Sequence, residues 1–289
     1  MGFRIVKINN RCKLETQINY LVCRAEKETR ILLDEISVLI IENQQICITT
    51  ALISELMNHQ IRVMFCDAKH NPQGELSPYH ASYNAYEKLV LQIHWNKETT
   101  QNIWNQIVRL KINNQATLLQ TFGHKDEADN LFEFREQVVG EDETNREGIS
   151  SKIYFSTLFG KGFERKDSAN PLNTYLNYGY SIILSAFNRE VNSLGYLTQF
   201  GIHHIGKTNP FNLSCDFMEP FRPFVDEQVI KGGLTEENYK KNLMNLLMSE
   251  VKYNDKIMIM DNAIHSYVLA LFSALNNNTE LDAYPLFKK

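Results

Sequence analysis

The sequence predicts an α+β protein: a small N-terminal β-sandwich-like domain over residues 1–72, a linker over 73–82, and a larger all-helical domain over 83–289. Two observations carry this. From Phe3 to about Asp67, short β-rich runs follow one another with turn-forming residues between them. Beyond a stretch crowded with turn formers, Asn71-Pro72-Gln73-Gly74 through Ser77-Pro78, apolar residues recur at helical spacing instead.

In order along the chain, Phe3-Arg4-Ile5-Val6-Lys7-Ile8, Tyr20-Leu21-Val22-Cys23-Arg24 and Arg30-Ile31-Leu32-Leu33 read as strands, with Asn9-Asn10 and Asp34-Glu35 as turns. Ile36 to Ile41 is a mostly apolar run, as expected for a strand covered on both faces. Thr49 and Thr50 supply a cap for a short helix through Ala51–Met57. Ile61 to Cys66 returns as a strand. In the second half, Asn170-Pro171 places a capping residue before a proline at the first helical position. The apolar residues from Leu172 to Leu194 then recur every three or four positions. Leu243, Leu246, Leu247 and Val251 mark a second helix, begun by Gly232-Gly233 and Thr235, and Met258 to Leu275 a third. The acid-rich segment Lys125 to Glu143 reads as a short helix or a loop.

Composition narrows the function classes. The 289 residues are 43% hydrophobic and 22% charged, which excludes a disordered chain, a collagen-like repeat and a disulfide miniprotein. No uninterrupted apolar run, Val38-Leu39-Ile40-Ile41 included, approaches the roughly 20 residues that span a bilayer. The N-terminus lacks the apolar run of a signal peptide, so a cytoplasmic protein is expected. Five widely spaced cysteines with no Cys-x-x-Cys pair predict neither a disulfide framework nor a thiolate zinc site. The net charge is −4; the first 75 residues hold nine charges of each sign, so the acidic excess lies in the remainder. A nucleic-acid partner would therefore need a local basic patch or another subunit.

Three places hold polar groups that helical packing does not require. In Thr144-Asn145-Arg146-Glu147-Gly148, Thr144 and Glu147 form a capping-box pattern. That box does not explain Gly148, which costs about 1 kcal/mol against alanine in a first turn; close approach of a backbone or ligand would. In Gly201-Ile202-His203-His204-Ile205-Gly206-Lys207, glycines frame a tight loop carrying two imidazoles that point in different directions. In Asp216-Phe217-Met218-Glu219-Pro220-Phe221-Arg222-Pro223, helical spacing would align Asp216, Glu219, Arg222 and Asp226 as a ladder of surface ion pairs. Pro220 disfavours helical geometry at Glu219, so a kink or helix start is expected there. Carboxylate and imidazole donors together suit Mg²⁺ or Mn²⁺ better than zinc. Neither a Gly-x-x-x-x-Gly-Lys-Ser/Thr loop nor a Gly-x-Gly-x-x-Gly fingerprint is present.

The order Asn145-Arg146-Glu147-Gly148 … Tyr154-Phe155, Gln199-Phe200-Gly201 with His204, and Asp216 through Asp226 resembles the CRISPR-associated integrase family, the adaptation endonucleases of CRISPR systems. Asn173 to Tyr180 shares the likeness, and Gly2-Phe3-Arg4 and Phe65-Cys66-Asp67 look like the type II branch, which accompanies single-protein effector nucleases. The resemblance implies an N-terminal β-domain that makes a homodimer and a helical domain that carries the active site. It implies Mg²⁺ or Mn²⁺ held by Glu147, His204 and Glu219, with Asp216 supporting them and His204 preferred over His203. It further implies two dimers bridged by a dimer of a small ferredoxin-like partner. That complex would join the 3′-hydroxyl ends of short double-stranded DNA to the CRISPR repeat by direct transesterification. Arg146, Lys207 and Arg222 are candidate phosphate contacts, Arg222 equally a partner of Glu219 or Asp226. The competing expectations are a structure-selective metal-dependent nuclease and a non-catalytic dimeric scaffold.

Overall fold

A computed structural model describes residues 4–68, 72–76 and 85–287. The chain divides into two compact units, Met1–Tyr83 with Asn192–Gly195, and Asn84–Val191 with Tyr196–Lys289.

The first unit is built from β1 (Arg4–Ile8), β2 (Lys13–Gln17), β3 (Tyr20–Arg24), β4 (Glu28–Leu32), β5 (Ile36–Ile41), β6 (Cys47–Ile48), α1 (Thr50–Asn58), β7 (Arg62–Cys66) and β8 (Pro72–Leu76). One sheet has the order β1-β5-β7-β8, the other β4-β3-β2-β6. Every residue of β5 is buried, as its unbroken apolar pattern requires. It pairs parallel with both β1 and β7. The β2–β3 hairpin turns through Ile18 (φ 45°) and Asn19 (φ 59°), the left-handed pair that matches strand twist. Thr49 caps α1 as expected, its hydroxyl accepting the Leu52 N–H at 3.3 Å. Leu52 and Leu56, one turn apart, then enter a core with Leu14 and Leu21 from one sheet and Leu39 and Val63 from the other.

Two corrections concern the elements. Pro72–Leu76, expected within the turn-rich linker stretch, pairs antiparallel with β7. It lies at the sheet edge, where proline's missing N–H is tolerated. The rest of the expected linker, 77–82, lies outside the described residues. The second half is also not all-helical. The pieces β9 (Glu250–Tyr253), β10 (Lys256–Ile259) and β11 (Pro285–Leu286) form a small antiparallel sheet. A two-residue turn with Asn254 at φ 51° folds β9 onto β10. Val251 and Met258, expected in helices, are strand residues: β9 alternates, burying Val251 and Tyr253, whereas Ile257-Met258-Ile259 in β10 is a short continuous apolar run that periodicity alone does not distinguish from a helix start.

The helices of the second unit are α2 (Ala85–Ile93), α3 (Lys97–Thr121), α4 (Lys125–Glu136), α5 (Arg146–Phe159), α6 (Pro171–Ser193), α7 (Asn212–Phe217), α8 (Arg222–Ile230), α9 (Tyr239–Met244) and α10 (Met260–Asn277). Asn170 caps α6 through the Leu172 N–H at 3.0 Å, as expected. The helix expected from Gly232 begins only at Tyr239, because both glycines take positive φ. The acid-rich segment resolves into α4 followed by turns. α3 is buried along most of its 25 residues and packs against α4, α5, α8 and α10. No helix among the described residues is long and apolar enough to cross a membrane.

α6 and α8 meet where a Cβ on Gly179 would collide with the Val225 side chain. Gly179→Ala is expected to cost about 1–3 kcal/mol and much less in a Val225→Ala background. A double-mutant cycle by urea denaturation measures the difference.

Candidate functional site

The start of α5 positions Glu147. Asp142, not Thr144, caps this helix: its carboxylate accepts the N–H of Arg146 at 2.7 Å and of Glu147 at 2.9 Å. Asp142 and Asn145 both adopt positive φ, which folds the carboxylate back under the helix start. Thr144 instead donates to the Gln137 carbonyl at 3.4 Å. The capping-box expectation therefore fails at both ends, and the Glu147 side chain is released from capping. Gly148 is explained locally: a Cβ there would sit 2.5 Å from the Asn145 Oδ1.

Glu147 Oε1 is paired with the Lys111 ammonium and accepts from Ser151 Oγ at 3.3 Å. The same ammonium lies 2.5 Å from Glu219 Oε2, so one cation bridges two carboxylates from distant parts of the chain. Glu219 opens the 3₁₀ turn Glu219–Phe221 between α7 and α8, the irregularity expected at Pro220. Arg222 Nε donates to the other oxygen of Glu219 at 2.8 Å. Burial by itself would raise the Glu219 carboxyl; Arg222 and Lys111 outweigh it and hold it down at about 2. Burial likewise opposes the Lys111 charge, and Glu219 and Glu147 overcome it, raising its pKa.

The Arg222 guanidinium also lies over the Tyr180 ring, 4.8 Å from its centroid. The Tyr180 hydroxyl donates to Asp226 Oδ1 at 2.5 Å and Tyr154 to Asp226 Oδ2 at 2.8 Å. The expected surface ladder is thus replaced by a buried network in which only the Glu219–Arg222 rung survives. Arg222 is committed to that network, Arg146 stacks on Phe134, and Lys207 stands on an exposed loop.

The His204 loop is organised around a fully buried carboxylate. Asp216 accepts the backbone N–H groups of Ile202 at 2.8 Å, His203 at 3.0 Å and His204 at 3.1 Å. It also takes the His204 Nδ1. Gly201 is required here, because a Cβ would collide with the His204 carbonyl and lie 2.8 Å from Asp216 Oδ2. With Nδ1 turned to Asp216, Nε2 is the nitrogen left to bind a ligand. The bond to Asp216 raises the His204 pKa against the opposing effect of burial, and the Glu219 charge adds to the rise. His203 does something different: its ring stacks on Trp104 at 4.1 Å and 5°, while His204 meets the same indole edge-on. Gln92 steadies the approach to the loop through Leu197, donating to its carbonyl at 2.8 Å and accepting its N–H at 2.9 Å.

Of the residues expected to hold a metal, the fold thus brings Glu147 and Glu219 onto one cation and sets His204 within the field of Glu219. Among the described residues, no three His, Cys, Asp or Glu side chains stand at metal-holding spacing. The donor chemistry fits a hard divalent ion, and the Lys111 ammonium stands in for a cation between the carboxylates. Sequence reading missed Lys111, Trp104 and Asp142. The signal for Lys111 was a lysine inside the apolar run Ile107-Val108-Arg109-Leu110-Lys111-Ile112, seven residues after Trp104.

A family model described as CRISPR associated protein Cas1 matches residues 6–255. A CRISPR-associated endonuclease Cas1 of Neisseria meningitidis serogroup C (strain 8013) is 36% identical over 231 residues, 80% of this chain and 76% of that one. A casposase bound to integration product superposes with a TM-score of 0.74 at 20% identity, covering 96% of this chain and 92% of that chain. A chain of a Cas6-RT-Cas1–Cas2 complex superposes with a TM-score of 0.75 at 20% identity, covering 97% of this chain and 36% of that longer one. At this identity the structural likeness speaks to the fold.

Two outcomes are expected. Asp216→Asn lowers the titration midpoint of His204, followed by NMR, from above the ordinary 6.5 toward it. Burial pushes the Asp226 carboxyl from 3.8 up to about 6, against the Tyr180 and Tyr154 hydrogen bonds. Its contribution to stability is complete below 3.8 and is lost as pH rises through about 6. Asp226→Asn should remove that slope, up to about 3 kcal/mol, from the pH dependence of chemical denaturation.

Proposed function

The chain belongs to the CRISPR-associated Cas1 family, and from that premise we propose that it is a divalent-metal-dependent DNA endonuclease and integrase of CRISPR adaptation. The observation that carries the reading is the convergence of Glu147 and Glu219 on one cation, with the His204 imidazole, held by the buried Asp216, in the field of Glu219. Glu147, Glu219 and His204 Nε2 would hold Mg²⁺ or Mn²⁺. That ion would neutralise charge building on a phosphodiester and ease deprotonation of an attacking hydroxyl.

The chain's own residues prepare this chemistry. Arg222 and Lys111 keep Glu219 ionised far below neutral pH. Asp216 sets the His204 tautomer, and Trp104 fixes the plane of the neighbouring ring. The reaction is an exchange: a donor 3′-oxygen forms a bond to phosphorus as the recipient strand's 3′-oxygen leaves and takes up a proton. The number of phosphodiesters is conserved, so no external energy source is needed. Placement and electrostatics therefore suffice, with few catalytic side chains.

An acidic subunit of net charge −4 gains from sharing its DNA with other subunits. We accordingly place it as a homodimer, dimerised through its N-terminal unit, in a higher-order complex with a small ferredoxin-like partner. The Cas1–Cas2 complex of a structural neighbour supports this assembly.

The test incubates the protein with that small partner, a 3′-hydroxyl donor duplex and a repeat-bearing supercoiled plasmid. A new donor–plasmid phosphodiester that requires the 3′-hydroxyl is expected; shortened strands indifferent to that hydroxyl would leave only a nuclease. Glu147→Ala, His204→Ala and Glu219→Gln should each lower product by about 100-fold or more with folded protein retained, whereas full activity in Glu147→Ala would mark a scaffold. At limiting Mn²⁺, activity should fall as pH drops through the raised His204 pKa, because the imidazolium no longer offers Nε2, and added Mn²⁺ should restore it.

A further inference from the structure

We propose that Lys111 is an internal counter-cation that competes with the divalent metal for Glu147 and Glu219, so that metal entry is an exchange in which the ammonium leaves. The inference rests on the metal reading of the site and concerns a residue outside the donor set.

Its basis is the charge arithmetic of a buried place. Lys111 is on the buried face of α3, with its side chain 10% exposed and that of Glu219 7% exposed. At Glu147 and Glu219 themselves two carboxylates face one ammonium and one guanidinium, so these four side chains balance in charge, while the neighbouring carboxylates Asp216 and Asp226 are met by backbone N–H groups and His204 and by the Tyr180 and Tyr154 hydroxyls. A neutral cluster has no surplus negative field to repay stripping water from a dication, and a buried surplus of positive charge is costly. Departure of one cation frees the two carboxylates for the metal. Arg222 is the poor candidate: its guanidinium is held between Glu219 and the Tyr180 ring. Lys111 is held, among the described residues, by the two carboxylates and carries its charge on a flexible four-carbon stem. The ammonium also lies between Glu147 Oε1 and Glu219 Oε2, on two of the residues that would hold the metal.

Two consequences follow. Without metal, Lys111 keeps two acidic side chains from repelling each other, which holds α5 and the 219–221 turn against α3. With metal, the displaced charge remains near the site where an anionic strand would lie. Metal affinity is thus set by Lys111 as well as by the donors.

The experiment is calorimetric titration of MnCl₂ into the metal-stripped full chain, with thermal melts in parallel. Lys111→Met should bind Mn²⁺ about tenfold tighter than wild type or more. It should also melt lower without metal and gain more from Mn²⁺. Lys111→Arg, which keeps the charge and folds in the event that the Met variant does not, should bind no tighter than wild type. Equal or weaker binding in Lys111→Met, or tighter binding in Lys111→Arg, overturns the proposal. Glu219→Gln separates the two readings. If it weakens Mn²⁺ binding while Lys111→Met fails to tighten it, only the role of Lys111 is lost. If Glu219→Gln binds as wild type does, the metal reading falls and this inference with it.

Discussion

A buried carboxylate stays ionised only if opposing charge is brought to it, and Glu219 is such a carboxylate. Meeting that demand organises the second unit. Lys111 supplies one charge from α3 and Arg222 the other from the start of α8. Arg222 must itself be fixed, and Tyr180 on α6 does this with its ring while its hydroxyl binds Asp226. Tyr154 on α5 closes the network from the other side. Polar groups from α3, α5, α6 and α8 are thereby locked into one arrangement. Such a network specifies geometry at the expense of stability, a common feature of functional sites.

α3 acts as the ruler against which the site is measured. Trp104, Lys111 and Asn114 are spaced seven and three apart, so they lie on one stripe of the helix. Trp104 meets both imidazoles, Lys111 bridges both glutamates, and Asn114 donates to the Pro220 carbonyl at 2.8 Å. The spacing of one rigid helix thus sets the separation between the histidine loop and the acidic turn. Asp216 does the complementary work, since three successive N–H groups on one buried carboxylate leave the loop little freedom.

Local signals in the sequence were legible where local physics decides. The apolar run of β5, the Thr49 cap, the Asn170-Pro171 helix start and the break at Pro220 all involve residues a few positions apart. The same kind of reading failed where two local explanations compete. Thr144 and Glu147 have capping-box spacing, yet Asp142 takes the helix start through a left-handed turn. The strands β9 to β11 were hidden because apolar stretches of two to four residues beside helices carry no unique period. Pro72–Leu76 was hidden because turn formers also suit an edge strand.

By itself, then, the sequence determined the α+β class and the motifs that carry the family membership, and it singled out the segments around Glu147, His203-His204 and Asp216 to Glu219 as polar groups that helical periodicity does not require. Only the tertiary structure decided that Asp216 orients His204, that His203 belongs to Trp104, and that a lysine from the middle of an apolar helix stands between the two glutamates. The reason is physical. Periodicity and caps are properties of neighbouring residues, whereas ion pairing in a buried place depends on distance through space and on exclusion of water. Those quantities exist only once the helices have packed.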